Sequence, residues 1–406
     1  MSIRPGRAER NHLVGETAKV LAARGLIHLT AEGESSNGRQ VRIRGRDLVN
    51  FGSCSYLGLE LDERLKEGAC SAIRRYGVQF SSSRAYVSTP LYGEFEQLLA
   101  QIFGAPVVVA QTTSLGHLAT LPVVVGENDA VLYDVLVHAS VQAVLPTLRA
   151  AGIPCTHVPH NRVDRLDDLL TQLARRHEKI WYLCDGIYSM HGDRAPLAEL
   201  YALQERHQSL HLYVDDAHGM SWTGRNGAGT ALGFGPIRSR LVVALGLSKA
   251  FAGAGAAFVF SDHELGRLVR SCGSTLIFSG PLQPGQIGAG IASARLHLSG
   301  ELQQLQALLS QRINLFNELS LHSGLRLRET SHSPVRFIEI GAEEQALDSA
   351  SALTEAGFFA NLSVFPAVPR RRAGIRVMLT THHTEEDLHS LVQALAAHPS
   401  RISQFR

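Results

Sequence analysis

The chain has 406 residues, 45% of them hydrophobic, enough for a large core in two or three units. Lys and Arg number 39 against 37 Asp and Glu, a net charge of +2, so no charge excess argues for a nucleic-acid partner. The most apolar stretches, 105–125 and 241–260, are interrupted by Gln111 and His117 or by Lys249, and no membrane span is expected.

The five cysteines, at 54, 70, 155, 184 and 272, are odd in number and form no Cys-x-x-Cys pair, which suits reduced thiols in a cytoplasmic enzyme. Met1-Ser2-Ile3-Arg4-Pro5 leads into a charged segment without an apolar leader core. None of the 19 histidines sits in a metal-ligand spacing, and the adjacent His382 and His383 diverge on most backbones, so no metal is expected. Arg370-Arg371-Arg372 reads as a solvated basic run.

Residues 1–45 are expected to form a helix, roughly 11–24, and an arm ending in the alternating Val41-Arg42-Ile43-Arg44. Leu61, Leu65, Ala69, Ala72, Ile73 and Tyr76 recur at helical spacing before Gly77, a natural stop. Phe95, Leu98, Leu99, Ile102 and Phe103 mark a second helix ended by Gly104. Seven strand candidates follow, at 106–110, 130–133, 154–158, 180–184, 211–215, 241–245 and 256–260, with helical patterns between several of them. Such alternation predicts an α/β domain with a mainly parallel sheet covered on both faces, here 46–290. Residues 285–320 read as one long helix bridging to a smaller C-terminal α/β unit, which makes 291–406 the last domain. Within it 335–340 and 376–379 read as strands, and Thr384-Glu385-Glu386-Asp387 as a capping box.

The chemistry gathers in 210–260. Asp215 ends one apolar strand and Lys249 stands just past the next, a costly pair to bury. Ligands of parallel sheets bind at the carboxyl ends of strands, where His138 also falls. A structural Asp–Lys ion pair is the plain alternative. Pyridoxal phosphate needs both residues: an amine for its aldehyde and an anion for its pyridinium nitrogen.

The sequence resembles the α-oxoamine synthases, pyridoxal-phosphate enzymes of aminotransferase fold type I. The likeness runs over about residues 45–395. It rests on Asn50-Phe51 with Tyr56-Leu57-Gly58-Leu59, Asp134 with His138-Ala139-Ser140, Ser189-Met190-His191-Gly192-Asp193, Val214-Asp215-Asp216-Ala217-His218, Ser248-Lys249-Ala250 and Arg376 with His382-His383-Thr384. The resemblance implies that Lys249 holds the cofactor and moves protons at the substrate carbon. It implies that Asp215 pairs with the ring nitrogen, His138 stacks on the ring, and His218 and Ser189 bond its phenolic oxygen. Arg376 would clamp the amino-acid carboxylate, with Asn50 a further substrate contact. Thr113, Ser114 and Ser248 would surround the phosphate end, and Ser279 would be lent by the second subunit of a homodimer with shared active sites.

The pattern departs from the family in five places, one of them Ser81-Ser82-Ser83-Arg84 where a Gly-rich segment is usual. Thr113 and Ser114 replace the glycine and aromatic of a phosphate-binding turn. Gly246 stands three residues before the lysine, where Thr or Ser is usual, and Tyr92 where His is common. Phe278-Ser279-Gly280 keeps only one hydroxyl of the partner-donated turn, and these changes, Tyr92 among them, are expected to cluster around the phosphate and the acyl entrance. The implied reaction joins a small L-amino acid to an acyl thioester, carried on coenzyme A or an acyl carrier protein, with loss of carbon dioxide and formation of an α-aminoketone. Transamination is the nearest alternative. A nicotinamide oxidoreductase, suggested by Gly227-Ala228-Gly229, fits poorly because the next glycine, Gly233, falls one place late and no strand precedes the run. A non-catalytic subunit is argued against by Lys249.

Overall fold

The computed structural model describes residues 7–233, 235–325 and 327–397, and these divide into two compact units. The larger comprises Leu57–Ser189 and Asp193–Ala307; the other takes the described residues up to Tyr56, Met190–Gly192 and those from Leu308 onward.

The larger unit is built on a seven-stranded sheet in the order Val107–Ala110, Ala256–Phe260, Leu241–Gly246, Leu210–Asp215, Ile180–Asp185, Ala130–Asp134 and Cys155–Val158. Only Ala256–Phe260 runs against the others. Ile180–Asp185, Leu241–Gly246 and Ala256–Phe260 are buried along their whole length, which is why they read as unbroken apolar runs and not as alternations. Leu212, Val214, Val243 and Leu245 point into one core layer, while Tyr213, Val242, Ala244 and Phe258 point into the other. The helix Pro90–Phe103 contributes Phe95 and Leu99 to the first layer. The helix Thr113–Val124 contributes Leu121 and Val124 to the second.

Against the first layer, the helices Glu63–Tyr76 and Pro284–His297 meet backbone to backbone. A Cβ on Gly68 would lie 2.6 Å from the Gly288 carbonyl oxygen, so only glycine permits this approach. The expected single helix over 285–320 is in fact two, Pro284–His297 and Glu301–His322. The break falls at Leu298-Ser299-Gly300. The Ser299 hydroxyl donates to the Leu296 carbonyl and accepts the Glu301 N–H, closing one helix and opening the next.

In the second unit Val335–Gly341, Ala373–Met378 and Asn361–Ser363 form an antiparallel sheet. Thr384 and Asp387 form the expected reciprocal cap: Thr384 N–H donates to Asp387 Oδ2 at 2.8 Å and Asp387 N–H to Thr384 Oγ1 at 3.1 Å. The division differs from the sequence reading at both boundaries. Arg46–Asn50 pairs with Gln40–Ile43 and with Phe358–Phe359, which draws 46–56 into the second unit. The other boundary falls inside the helix Glu301–His322, not at 290.

Candidate active site

A cavity of about 410 Å³ opens in the larger unit at the carboxyl ends of the strands, within the size range of cofactor sites. Thr113, Ser114, His138, Asp215, His218, Ser248 and Lys249 all line it. Sequence positions 113 to 249 are thus brought to one place by strand register, since Asp185, Asp215 and Ala244 lie opposite one another at the sheet's upper edge.

Lys249 stands on the connection between Leu241–Gly246 and Ala256–Phe260. That connection folds back on itself: Leu247 N–H donates to the Gly255 carbonyl and Ala252 N–H to the Lys249 carbonyl. Gly255 adopts φ +87°, and a Cβ there would lie 2.6 Å from the Ala110 carbonyl oxygen. The closed turn holds a half-buried Lys249 at the cavity wall. Gly246 is packed against Ala217, to whose Cβ a Cβ at 246 would come within 2.9 Å, so a larger residue there has no room without a shift.

Asp215 is buried and does not pair with Lys249, which removes the structural ion-pair reading. Its Oδ2 lies 2.9 Å from His117 Nε2, and His117 Nδ1 lies 2.6 Å from the Tyr213 hydroxyl. Its Oδ1 accepts the Ala217 N–H at 3.1 Å. Burial works to raise the Asp215 pKa, but the hydrogen bond from His117, with the nearby Lys249 and His138, holds it below the usual carboxylate range. Neighbouring Asp185, also at the cavity, is pushed the other way by burial and by the Asp215 charge. The affinities of two carboxylates side by side for a proton are thereby pushed in opposite directions. Sequence reasoning missed both His117 and Asp185. His117 registers there only as a polar break in an apolar run. Asp185 carries the signal that singled out Asp215, a carboxylate ending an apolar strand, but the strand was expected to stop at 184.

His138 caps the short helix Ala139–Gln142. Its ring Nδ1 lies 2.7 Å from Ser140 Oγ, and its backbone N–H donates to Asp185 Oδ1 at 2.9 Å. The ring is open to the cavity. Across from it, the helix Thr113–Val124 begins at the cavity wall, its N-cap Thr112 accepting the Leu115 N–H. The first N–H groups of a helix lack intrahelical partners, and Thr113 and Ser114 supply two beside their hydroxyls. The turn therefore forms without the family's glycine. Gly116 one turn on is obligatory, since a Cβ there would overlap the Phe258 ring.

Other sequence-predicted residues lie elsewhere. Tyr92, expected at the entrance, is buried in the core: its hydroxyl accepts the Leu282 N–H at 2.6 Å, and the Arg84 guanidinium stacks 3.8 Å from its ring. A buried phenol needs such a partner, and this one staples the segment before Pro284. Ser189 follows the cavity-lining Ile187, but is not itself among the lining residues. Its loop is tied down through Asp193, which meets His160 Nε2 at 2.6 Å, while His160 Nδ1 meets Asp134 at 3.0 Å. Burial lowers the His160 pKa, but the two carboxylates raise it to about 9. Ser279 does not line the cavity of its own chain. Its hydroxyl donates to the Thr275 carbonyl, beside the fully exposed Phe278. In the second unit, Asn50 uses its side-chain oxygen to accept the Gly52 N–H. Arg376 sits mid-strand opposite Phe337 and Asn361, its Nε buried without a hydrogen-bond partner. The glycines at 227 and 229 serve a different end from a dinucleotide turn: Gly227 packs on the Ser221 backbone and Gly229 on Asp216, whose carboxylate accepts the Thr230 and Ala231 N–H groups and the Thr230 hydroxyl. Gly229 adopts φ +90°, and a Cβ there would strike Asp216.

The donor set fits pyridoxal phosphate: an amine, a buried anion, a helix start and two histidines on one cavity. Comparison with known proteins agrees. Residues 46–395 match the family model for class I and II aminotransferases. The chain is 32% identical over 366 residues to an 8-amino-7-oxononanoate synthase of Coprothermobacter proteolyticus, covering 89% of this chain and 91% of that one. It is 33% identical over 377 residues to the synthase of that name from Maricaulis maris, covering 92% and 93%. Among solved structures, a serine palmitoyltransferase of Sphingomonas wittichii superposes with a TM-score of 0.88 at 22% identity, covering 97% of this chain and 98% of that one.

Proposed function

The chain belongs to the class I and II aminotransferase family, and within it to the α-oxoamine synthases, and we propose that it is a pyridoxal-phosphate-dependent carbon acyltransferase. It condenses an amino acid with an acyl thioester. We assign it a small L-amino acid as acceptor, an acyl group carried by coenzyme A or a carrier protein, and an α-aminoketone product formed with decarboxylation. The observation that carries the reading is a buried Asp215 free of Lys249, both on one cavity with a helix start.

When bound, the cofactor supplies an electron sink for charge developing at the substrate α-carbon. Lys249 Nζ would hold the aldehyde carbon and, once the substrate amine has taken that position, accept and return the α-proton. Asp215 would accept from the ring nitrogen, His138 would cover one ring face, and His218 and Ser189 would bond the phenolic oxygen. Thr113 and Ser114 would cradle the phosphate with their N–H groups and hydroxyls, and Ser248 with its hydroxyl. Arg376 would grip the substrate carboxylate, a role supported by its buried, unpartnered Nε, and Asn50 would be a further substrate contact. Ser279 would reach the phosphate of a second copy. The exposed Phe278 next to it supports a homodimer with shared sites. Transamination is not favoured, since the relatives cited above are synthases. A cytoplasmic setting agrees with five free thiols.

The test is a panel of amino acids and acyl thioesters, on coenzyme A and on carrier protein, followed by mass spectrometry of the products and capture of carbon dioxide. Keto-acid exchange without carbon–carbon bond formation would overturn the reading. Borohydride treatment should fix the cofactor on Lys249, and Lys249→Ala should lose the visible chromophore.

A further inference from the structure

We infer that His117 and Tyr213 are positioning residues for the ring nitrogen of the cofactor: a buried Tyr213–His117–Asp215 chain fixes the orientation and charge of the Asp215 carboxylate. The inference rests on the proposed function, which puts that nitrogen against Asp215.

His117 is fully buried in the helix Thr113–Val124, and Tyr213 fully buried in the strand that ends at Asp215. The two contacts, 2.6 Å and 2.9 Å, engage both nitrogens of one imidazole. A neutral imidazole carries one N–H and one lone pair. Burial pushes the Tyr213 phenol well above its ordinary pKa, so it stays a donor. With the phenol donating to Nδ1, the imidazole N–H is on Nε2 and points at Asp215 Oδ2. Phe258 meets the His117 ring edge-on at 5.6 Å, and Gly116 lets that phenyl approach, so the ring cannot swing away. The chain therefore occupies one Asp215 oxygen from behind and leaves the carboxylate oriented and ionised for a donor in the cavity. The titratable groups that act on Asp215 include Lys249, His138, Cys184, Asp185 and Asp216. The Ala217 N–H donates to Oδ1 while His117 addresses Oδ2, so the chain and that backbone group together set the direction of the carboxylate.

The experiment uses purified enzyme stripped of cofactor and titrated with pyridoxal phosphate. It records the dissociation constant and the pH at which the visible chromophore on Lys249 loses its proton. A protonated ring nitrogen disfavours a second positive charge on the imine. Loss of Asp215 support should therefore raise that titration midpoint. His117→Leu should weaken cofactor binding at least tenfold and move the midpoint up. Tyr213→Phe should give a smaller shift in the same direction. His117→Gln, whose amide N–H can still reach Asp215, should recover most of both losses. Thermal unfolding of each apoenzyme reports whether the fold survives, and if His117→Leu does not fold, the other two variants decide. Wild-type affinity and midpoint in folded Tyr213→Phe and His117 variants would overturn the inference. Absence of a visible chromophore in the wild type would instead overturn the cofactor reading beneath it.

Discussion

His160 bridges Asp134 and Asp193, and removing it should destabilise the protein in a pH-dependent way. The Asp134 carboxylate is buried at the end of its strand, and Asp193 closes the loop that carries Ser189. A folded pKa of about 9 against an ordinary 6.5 for the imidazole corresponds to at most ~3.4 kcal/mol, at 1.36 kcal/mol for each unit. The side chain keeps 27% of its surface, so solvent screening brings the expected figure to about 2–3 kcal/mol. The sign follows from the raised pKa. The contribution is fully present below the unfolded value near 6.5 and disappears as the pH rises through about 9. His160→Gln keeps one donor but no charge. Urea unfolding of both apoproteins from about pH 6 to about pH 10.5 should show the widest gap at the acid end and convergence through about pH 9. Comparing the two proteins cancels other titrating groups. A gap constant across that range would refute the electrostatic reasoning and leave packing as the cause.

Gly116→Ala should destabilise by roughly 1–3 kcal/mol, because the added methyl displaces Phe258, and should weaken phosphate-dependent cofactor binding, read by titrating the apoenzyme with pyridoxal and with pyridoxal phosphate. Arg376→Ala should raise the amino-acid KM by a loss of roughly 2–5 kcal/mol while cofactor binding is unchanged; a KM within threefold or so of wild type would remove Arg376 from substrate recognition. Phe278→Glu should leave a folded protein that sediments as a monomer and, if Ser279 serves the second copy, loses activity with it.

The inner strands of the sheet were legible because they are buried on both faces and bounded by polar turns, so each appears as a short apolar run. Asp215 and Lys249 were legible for the opposite reason, as charges that such runs do not otherwise tolerate. His117 was not, since on a largely apolar helix nothing local separates a core histidine from one that addresses a carboxylate 98 residues away in the chain. Tyr92 misled in the other direction. Its position suggested an entrance, and only the Leu282 N–H, 190 residues away, together with the Arg84 guanidinium shows why a phenol belongs in the core. The break at Leu298-Ser299-Gly300 was missed because one serine hydroxyl serves both helix ends, whereas the capping box at Thr384 and Asp387 is contained within four residues and could be read directly.

Asp215 and Asp216 are chemically identical neighbours with unrelated duties, one open to the cavity and the other knotted to the backbone of Thr230 and Ala231. What separates them is the side to which each successive residue turns as the strand ends. A single-residue slip in Leu210–Asp215 would exchange them, pointing the loop's anchor at the cavity and the cavity's anion at the loop. Neither can therefore be relocated alone. Any descendant of this sequence that abandons the chemistry at 215 inherits the obligation at 216, and one that remodels the loop over 223–231 must do so around a carboxylate whose neighbour is already committed. The two carboxylates are thus a single structural commitment, made where the strand ends.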